Sequence, residues 1–314
     1  MENRHKRRQK RKILTIINLI LLMCCIAGLS LIFVLSQHHS KINLSQWSQK
    51  LPKVSLFSPS KPAKHKSKVL KETPAPKPEK QTHWKKYDTP VQVPILMYHA
   101  VHVMAPEEAA NANLIVAPDL FDSHLKALKE AGYYFLSPKE AYRALSANEL
   151  PAEKVVWLTF DDSMIDFYRV AFPILKKYQA KATNNVITGL TEAGSVANLT
   201  LEQMKEMKKS GMSFQDHTVN HPDLSQSSLE QQTAEMEDSK LYLDKELEQN
   251  TIAIAYPSGK YNDTTLSIAE QLHYKLGVTT NEGIASAADG LLSLKRIRIL
   301  PTTTAENLLT TIAP

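Results

Sequence analysis

Val155-Val156-Trp157-Leu158-Thr159-Phe160-Asp161-Asp162 is the stretch that decides the fold of this 314-residue chain. Its β-branched and aromatic residues predict a short buried strand, and two carboxylates close it. A strand ending this way projects both acids into one cleft. About fifty-five residues later comes His217-Thr218-Val219-Asn220-His221. Two imidazoles four residues apart, joined to one of the two carboxylates, make a set that holds a divalent ion and leaves coordination positions open. Open positions point to chemistry rather than to scaffolding.

Working outward, strand patterns at 93–99, 180–187, 212–215, 251–256 and 276–279 alternate with helical patterns at 118–131, 137–145, 167–178, 200–210, 228–248 and 264–272. In the first helix Leu120, Phe121, Leu125 and Leu128 share a face, and Ser137 is placed to cap the second ahead of Pro138. This alternation predicts a parallel α/β architecture, a barrel, with function on the loops at the carboxyl ends of the strands. Both clusters fall at such ends. There is no internal repeat and no glycine-rich phosphate loop.

The first ninety residues have a different composition. A basic tail at 1–12, with seven Lys and Arg, precedes 24 uncharged residues at 13–36, long enough to cross a bilayer. The basic residues place the amino terminus in the cytoplasm and the rest outside. A cleaved signal peptide is the rival reading, but Phe33-Val34-Leu35-Ser36-Gln37 offers no small-residue cleavage site. Residues 37–90 carry twelve Lys, three acids and Pro74-Ala75-Pro76-Lys77-Pro78, which predicts a disordered, extended spacer. Its charge also suits anionic lipids or cell-wall polymers. The remaining 91–314 hold nineteen basic and twenty-eight acidic side chains, net −9, so the globular part lacks the basic footprint of a nucleic-acid binder. Both cysteines, Cys24 and Cys25, lie in the apolar stretch, leaving the globular part without a disulfide.

Alone, Asp161-Asp162 reads equally as a helix cap and a surface acid, and His217 and His221 as polar loop residues. Their joint placement at predicted strand ends favours a site. His221 precedes Pro222, which favours a loop there, and no Glu follows His217, so the helical metalloprotease motif is absent.

Three segments carry a family resemblance. Thr159-Phe160-Asp161-Asp162, His217-Thr218-Val219-Asn220-His221-Pro222-Asp223-Leu224 and Ala255-Tyr256-Pro257-Ser258-Gly259-Lys260-Tyr261-Asn262 closely resemble the first three motifs of the NodB-homology polysaccharide deacetylases, carbohydrate esterase family 4. Pro94-Ile95-Leu96-Met97-Tyr98-His99-Ala100-Val101 is similar to the branch that includes the poly-N-acetylglucosamine deacetylases of biofilm formation. The resemblance spans about residues 93–300. It implies a distorted (β/α)₇ barrel and metal-dependent removal of acetyl groups from sugars.

By that resemblance Asp161 matches the general base, and Asp162, His217 and His221 match the metal ligands, with Zn²⁺ the default and Co²⁺, Ni²⁺, Mn²⁺ or Fe²⁺ alternatives. Ser258 matches the position whose backbone N–H meets the oxyanion, with Gly259 letting that turn approach the substrate. Ala255 stands where Arg is usual, and the late Leu-x-x-His motif is missing. Both traits are shared with the biofilm branch, where the early His, here His99, supplies the acid. Arg296 resembles that branch's late Arg, and a structural ion pair explains it equally well. Ser163 replaces a common Gly, which is expected to narrow the cleft. Asp216 replaces a common Ser, adding negative charge near the ion, and Asn184 and Asn185 replace apolar or aromatic residues. The expected protein is a membrane-tethered, extracellular N-deacetylase of an N-acetylglucosamine polysaccharide. An O-acetyl esterase and an inactive carbohydrate-binding protein are the alternatives.

Overall fold

The structure, a computed structural model, describes residues 83–313. The tail, the apolar stretch and nearly all of the predicted spacer lie outside the described residues. Among those described, no helix is long and apolar enough to cross a membrane.

Seven parallel strands close a barrel in chain order: β1 (Ile95–Tyr98), β2 (Val155–Phe160), β3 (Thr183–Val186), β4 (Ser213–Asp216), β5 (Ala253–Ala255), β6 (Leu276–Glu282) and β7 (Leu294–Arg298). Closure comes from β1, which pairs with β2 on one side, Tyr98 opposite Phe160, and with β7 on the other, Leu96 opposite Ile297. A two-residue strand, Tyr134–Phe135, pairs with β2 outside the ring. The predicted strands are all present. β7 is an addition to them.

Side chains alternate across each strand, as a two-residue period requires. In β2, Val156, Leu158 and Phe160 join the core that packs against α1 (Pro118–Glu130) through Phe121, Leu125 and Leu128. Val155 and Trp157 join a second cluster with Ile95, Ala253, Ala255, Leu276, Val278 and Leu294, which fills the barrel. Both faces of β2 are therefore buried, as expected of a parallel strand covered by helices. Inside the barrel, Trp157 donates Nε1–H to Thr183 Oγ1 at 2.7 Å, and that hydroxyl lies 2.9 Å from Ser213 Oγ.

Helix starts follow the sequence signals. Ser137 caps α2 (Pro138–Ala147), and Ser228 caps α6 (Leu229–Glu246), the sixth of eight helices among the described residues; α3 is Phe172–Lys177, α4 Thr188–Glu192, α5 Leu201–Lys208, α7 Asp263–Gln271 and α8 Ala305–Thr311. The helix predicted over 167–178 splits into a π turn, Phe167–Ala171, followed by α3. Such turns often mark functional ground, and this one begins five residues after Asp162.

The folded domain begins earlier than its composition predicts. Lys85 and Lys86 pair with Leu150 and Glu149, the Arg143 guanidinium stacks on Trp84 at 4.3 Å, and the Asn148 side chain bonds the carbonyls of Tyr87 and Thr89. These contacts hold residues 84–90 on the barrel domain.

Candidate metal centre and active site

The ends of β1, β2, β4 and β5 deliver the candidate residues to one mouth of the barrel. Asp162, His217 and His221 each offer a ligand atom, and these atoms lie within 4.8 Å of one another. Asp162 Oδ1 is 3.4 Å from His217 Nε2 and 3.6 Å from His221 Nε2. His217 Nδ1 donates to the Ala255 carbonyl at 2.7 Å, which turns the Nε2 lone pair toward Asp162 and His221. A buried imidazole oriented from behind by a carbonyl, beside a second imidazole and a carboxylate, fits a divalent cation.

The backbone is bent to make this possible. Asp162, Ser163, Thr218, His221 and Ser258 all have φ between 50° and 72°, five of the nine described non-glycine residues in the left-handed region. That conformation is unfavourable for L side chains, and its concentration here marks the mouth of the barrel. The His217–His221 turn is braced within itself: Thr218 Oγ1 accepts the His221 N–H at 3.0 Å.

Asp161 is separated from Asp162 by its partners. Arg296 reaches from β7 with Nη1 on Oδ1 at 2.9 Å and Nη2 on Oδ2 at 2.7 Å. Asn185 donates to Oδ1 at 2.7 Å. Burial alone raises the Asp161 pKa, but the Arg296 and His217 charges and the Arg296 bonds outweigh it and hold the carboxyl well below the usual range. Arg296 is itself buried and anchored by Thr279 O and Thr159 Oγ1. A guanidinium for Asp161 thus comes from β7 rather than from position 255, where Ala255 lies buried in β5.

His99 follows β1 and is partly buried. Burial lowers its pKa, Asp161 and Asp162 act in the opposite direction, and Arg296 and Arg298 reinforce the lowering. Ser258 sits in the turn after β5, exposed, at φ 51°.

One expectation about the flanking residues is corrected. Ser163 is fully buried, with no partner for its hydroxyl among the described residues, so it presents no surface that would narrow the cleft. Asp216 is not itself a ligand, but its charge and that of His217 act on each other. Its Oδ1 accepts Thr218 N–H at 2.6 Å and Ser239 Oγ–H at 2.9 Å, while Oδ2 accepts the Tyr274 hydroxyl. Burial pushes its pKa up to about 6 despite these donors. Gly259, at φ 67°, is needed because a Cβ there would lie 2.0 Å from Thr280 Oγ1 of β6. Of the two asparagines, Asn185 orients Asp161, while Asn184 is buried without a hydrogen-bond partner among the described residues.

Comparison with known proteins agrees with this geometry. Residues 148–277 match the polysaccharide deacetylase family model. YxkH of Bacillus subtilis, whose name places it among the polysaccharide deacetylases, is 40% identical over 253 residues, covering 81% of this chain and 85% of that protein. The poly-beta-1,6-N-acetyl-D-glucosamine N-deacetylase of Staphylococcus aureus is 31% identical over 182 residues, which are 54% of this chain and 62% of that enzyme. Among solved structures, the Streptococcus pyogenes deacetylase PplD in complex with acetate superimposes with a TM-score of 0.70 and 78% identity, over 72% of this chain and all of that one. The Arg296-held Asp161, the Asp162–His217–His221 cluster and these likenesses lead to one assignment: the chain belongs to the polysaccharide deacetylase family of hydrolases.

Proposed function

We propose that this protein removes N-acetyl groups from an extracellular or cell-wall polysaccharide containing N-acetylglucosamine, using a divalent metal ion, by default Zn²⁺, held by Asp162, His217 and His221. The observation that carries the reading is the meeting of these three ligand atoms with an ionised Asp161 and with His99 at one barrel mouth. The acetate in the related PplD structure is a product such a reaction releases.

A divalent ion bound there supplies Lewis acidity to the acetyl carbonyl and acidifies a water. Asp161, kept ionised by Arg296 and oriented by Asn185, is the base for the attacking water: among the described residues Oδ2 accepts a single hydrogen bond and so retains an acceptor position. The Ser258 backbone N–H donates to the oxyanion. His99 gives a proton to the departing amine, a poor leaving group until protonated.

The apolar stretch at 13–36 and the basic tail before it support a single-pass anchor with the catalytic domain outside the cell. The Lys-rich segment that follows suits contact with anionic wall polymers.

The function is tested by incubating the protein with peptidoglycan and with a β-1,6-linked N-acetylglucosamine polymer, and following free amines and acetate by mass spectrometry. Equal amounts of new amine and acetate are expected. Acetate without amine, from O-acetylated polymer alone, would instead identify an esterase.

A further inference from the structure

After β1 the chain makes a short strand, Ala100–Val101, which pairs in parallel with Ile115–Val116. Residues 102–114 are therefore an excursion that leaves and rejoins the domain beside His99, and most of it is the 3₁₀ segment Pro106–Leu114. His102 stands at its root between two carboxylates. Its Nδ1 is 2.8 Å from Asp166 Oδ2, and its Nε2 is 3.1 Å from both oxygens of Glu108. The same Asp166 oxygen accepts the Val101 N–H at 2.7 Å, and Glu108 Oε2 accepts the Ala105 N–H at 2.8 Å. Asp166 is buried, and its other oxygen has no partner among the described residues.

A neutral imidazole has one N–H and one lone pair. Between two carboxylates it turns the lone pair onto one of them in either tautomer. Only the imidazolium donates to both. We propose that His102, as an imidazolium bridging Asp166 and Glu108, is a positioning residue that ties the loop carrying His99 to the loop carrying Asp161 and Asp162 and latches the 102–114 excursion beside them. The positioning half rests on the deacetylase roles given above to those three residues; the latch does not.

The ionisable groups facing His102 are Asp166, from the segment after β2, and Glu108, from the 3₁₀ segment. Burial lowers the His102 pKa, and the bonds and charges of these two carboxylates more than reverse the effect. With a raised folded pKa, the latch is complete below the ordinary imidazole value of about 6.5 and is lost as pH rises through the raised value. The proton lost is the one facing Glu108, because Asp166 is the more buried carboxylate and also holds the Val101 amide.

The test is an NMR titration of the His102 ring, identified by its absence in His102→Gln, combined with amide exchange of residues 103–114 corrected for intrinsic rates. In the wild type the ring is expected to titrate above about 6.5, and exchange is expected to quicken across that titration. In Glu108→Gln the new amide can donate to a neutral ring, so the ring pKa should fall and the exchange step should disappear. His102→Gln should lower kcat about tenfold or more with KM and metal content unchanged. A wild-type ring titrating at or below about 6.5, or exchange indifferent to pH and to Glu108→Gln, would overturn the latch, and an unchanged kcat in His102→Gln would overturn positioning. Should the wild type release no acetate from any glycan, the functional reading fails, while titration and exchange still decide the latch.

Discussion

Arg296 holds Asp161 by both carboxylate oxygens, Nη1 to Oδ1 at 2.9 Å and Nη2 to Oδ2 at 2.7 Å, in the upper interior of the barrel. The pair keeps Asp161 charged in a place where burial alone would neutralise it. Arg296→Met leaves that carboxylate buried and unpaired, and a loss of about 3 to 5 kcal/mol is expected in urea denaturation at neutral pH. Because the folded pKa of Asp161 is depressed, its contribution is present above the ordinary carboxyl value of about 3.9 and is lost as pH falls below it. Wild-type stability in Arg296→Met would show the pair to be energetically idle.

Asp216 has the opposite sign. Its folded pKa, pushed up to about 6 by burial, lies above the unfolded value, so stability is highest below the unfolded pKa and declines as pH rises through about 6. The shift of roughly two pH units corresponds to about 3 kcal/mol. In Asp216→Asn the amide oxygen still accepts from Thr218 and Ser239, and Tyr274 can donate to the Met236 carbonyl 3.0 Å away. The expected result is a flatter melting temperature between roughly pH 4 and 7 in Asp216→Asn, with unchanged metal content. A slope identical to the wild type would place the titration elsewhere.

Metal uptake is expected to release protons. Burial lowers the His217 pKa, but Asp162 and Asp161 more than reverse this, so an incoming cation displaces a proton from its ring. Affinity should therefore rise with pH near neutrality. Calorimetry of Zn²⁺ binding in buffers of different ionisation enthalpy should report between zero and one proton released through this ring. Affinity independent of pH would mean that His217 is already neutral.

His99→Ala should keep the metal and lose about 10²-fold in the rate on an N-acetylated sugar. The loss should be smaller on an activated aryl acetate, whose leaving group needs no proton. Equal losses on both substrates would point to damaged packing at the barrel mouth, and no loss on the sugar would remove His99 from the chemistry.

The parts of this protein legible in its sequence are those where local chemistry suffices. β2 is written in consecutive β-branched and aromatic residues, and Asp162, His217 and His221 are of types that a metal centre requires. β7 was hidden because Lys295, Arg296 and Arg298 break its apolar pattern, and the need for Arg296 inside the barrel arises only from Asp161, 135 residues away. Asn185 and Asp216 looked like departures because their partners, Asp161 and Tyr274, meet them only in the folded chain. The start of the domain was obscured by Lys85, Lys86 and Pro90, whose spacer-like composition says nothing of the pairing with Glu149 and Leu150.

The division of labour between adjacent carboxylates is the central claim, and one variant tests it most directly. Asp161→Asn should retain its metal by elemental analysis, because Asp162, His217 and His221 remain, yet release no acetate from an N-acetylglucosamine polymer, because an amide cannot accept the water's proton. Metal-free Asp161→Asn, or near-normal acetate release by it, would contradict the assignment of Asp161 as base and Asp162 as ligand.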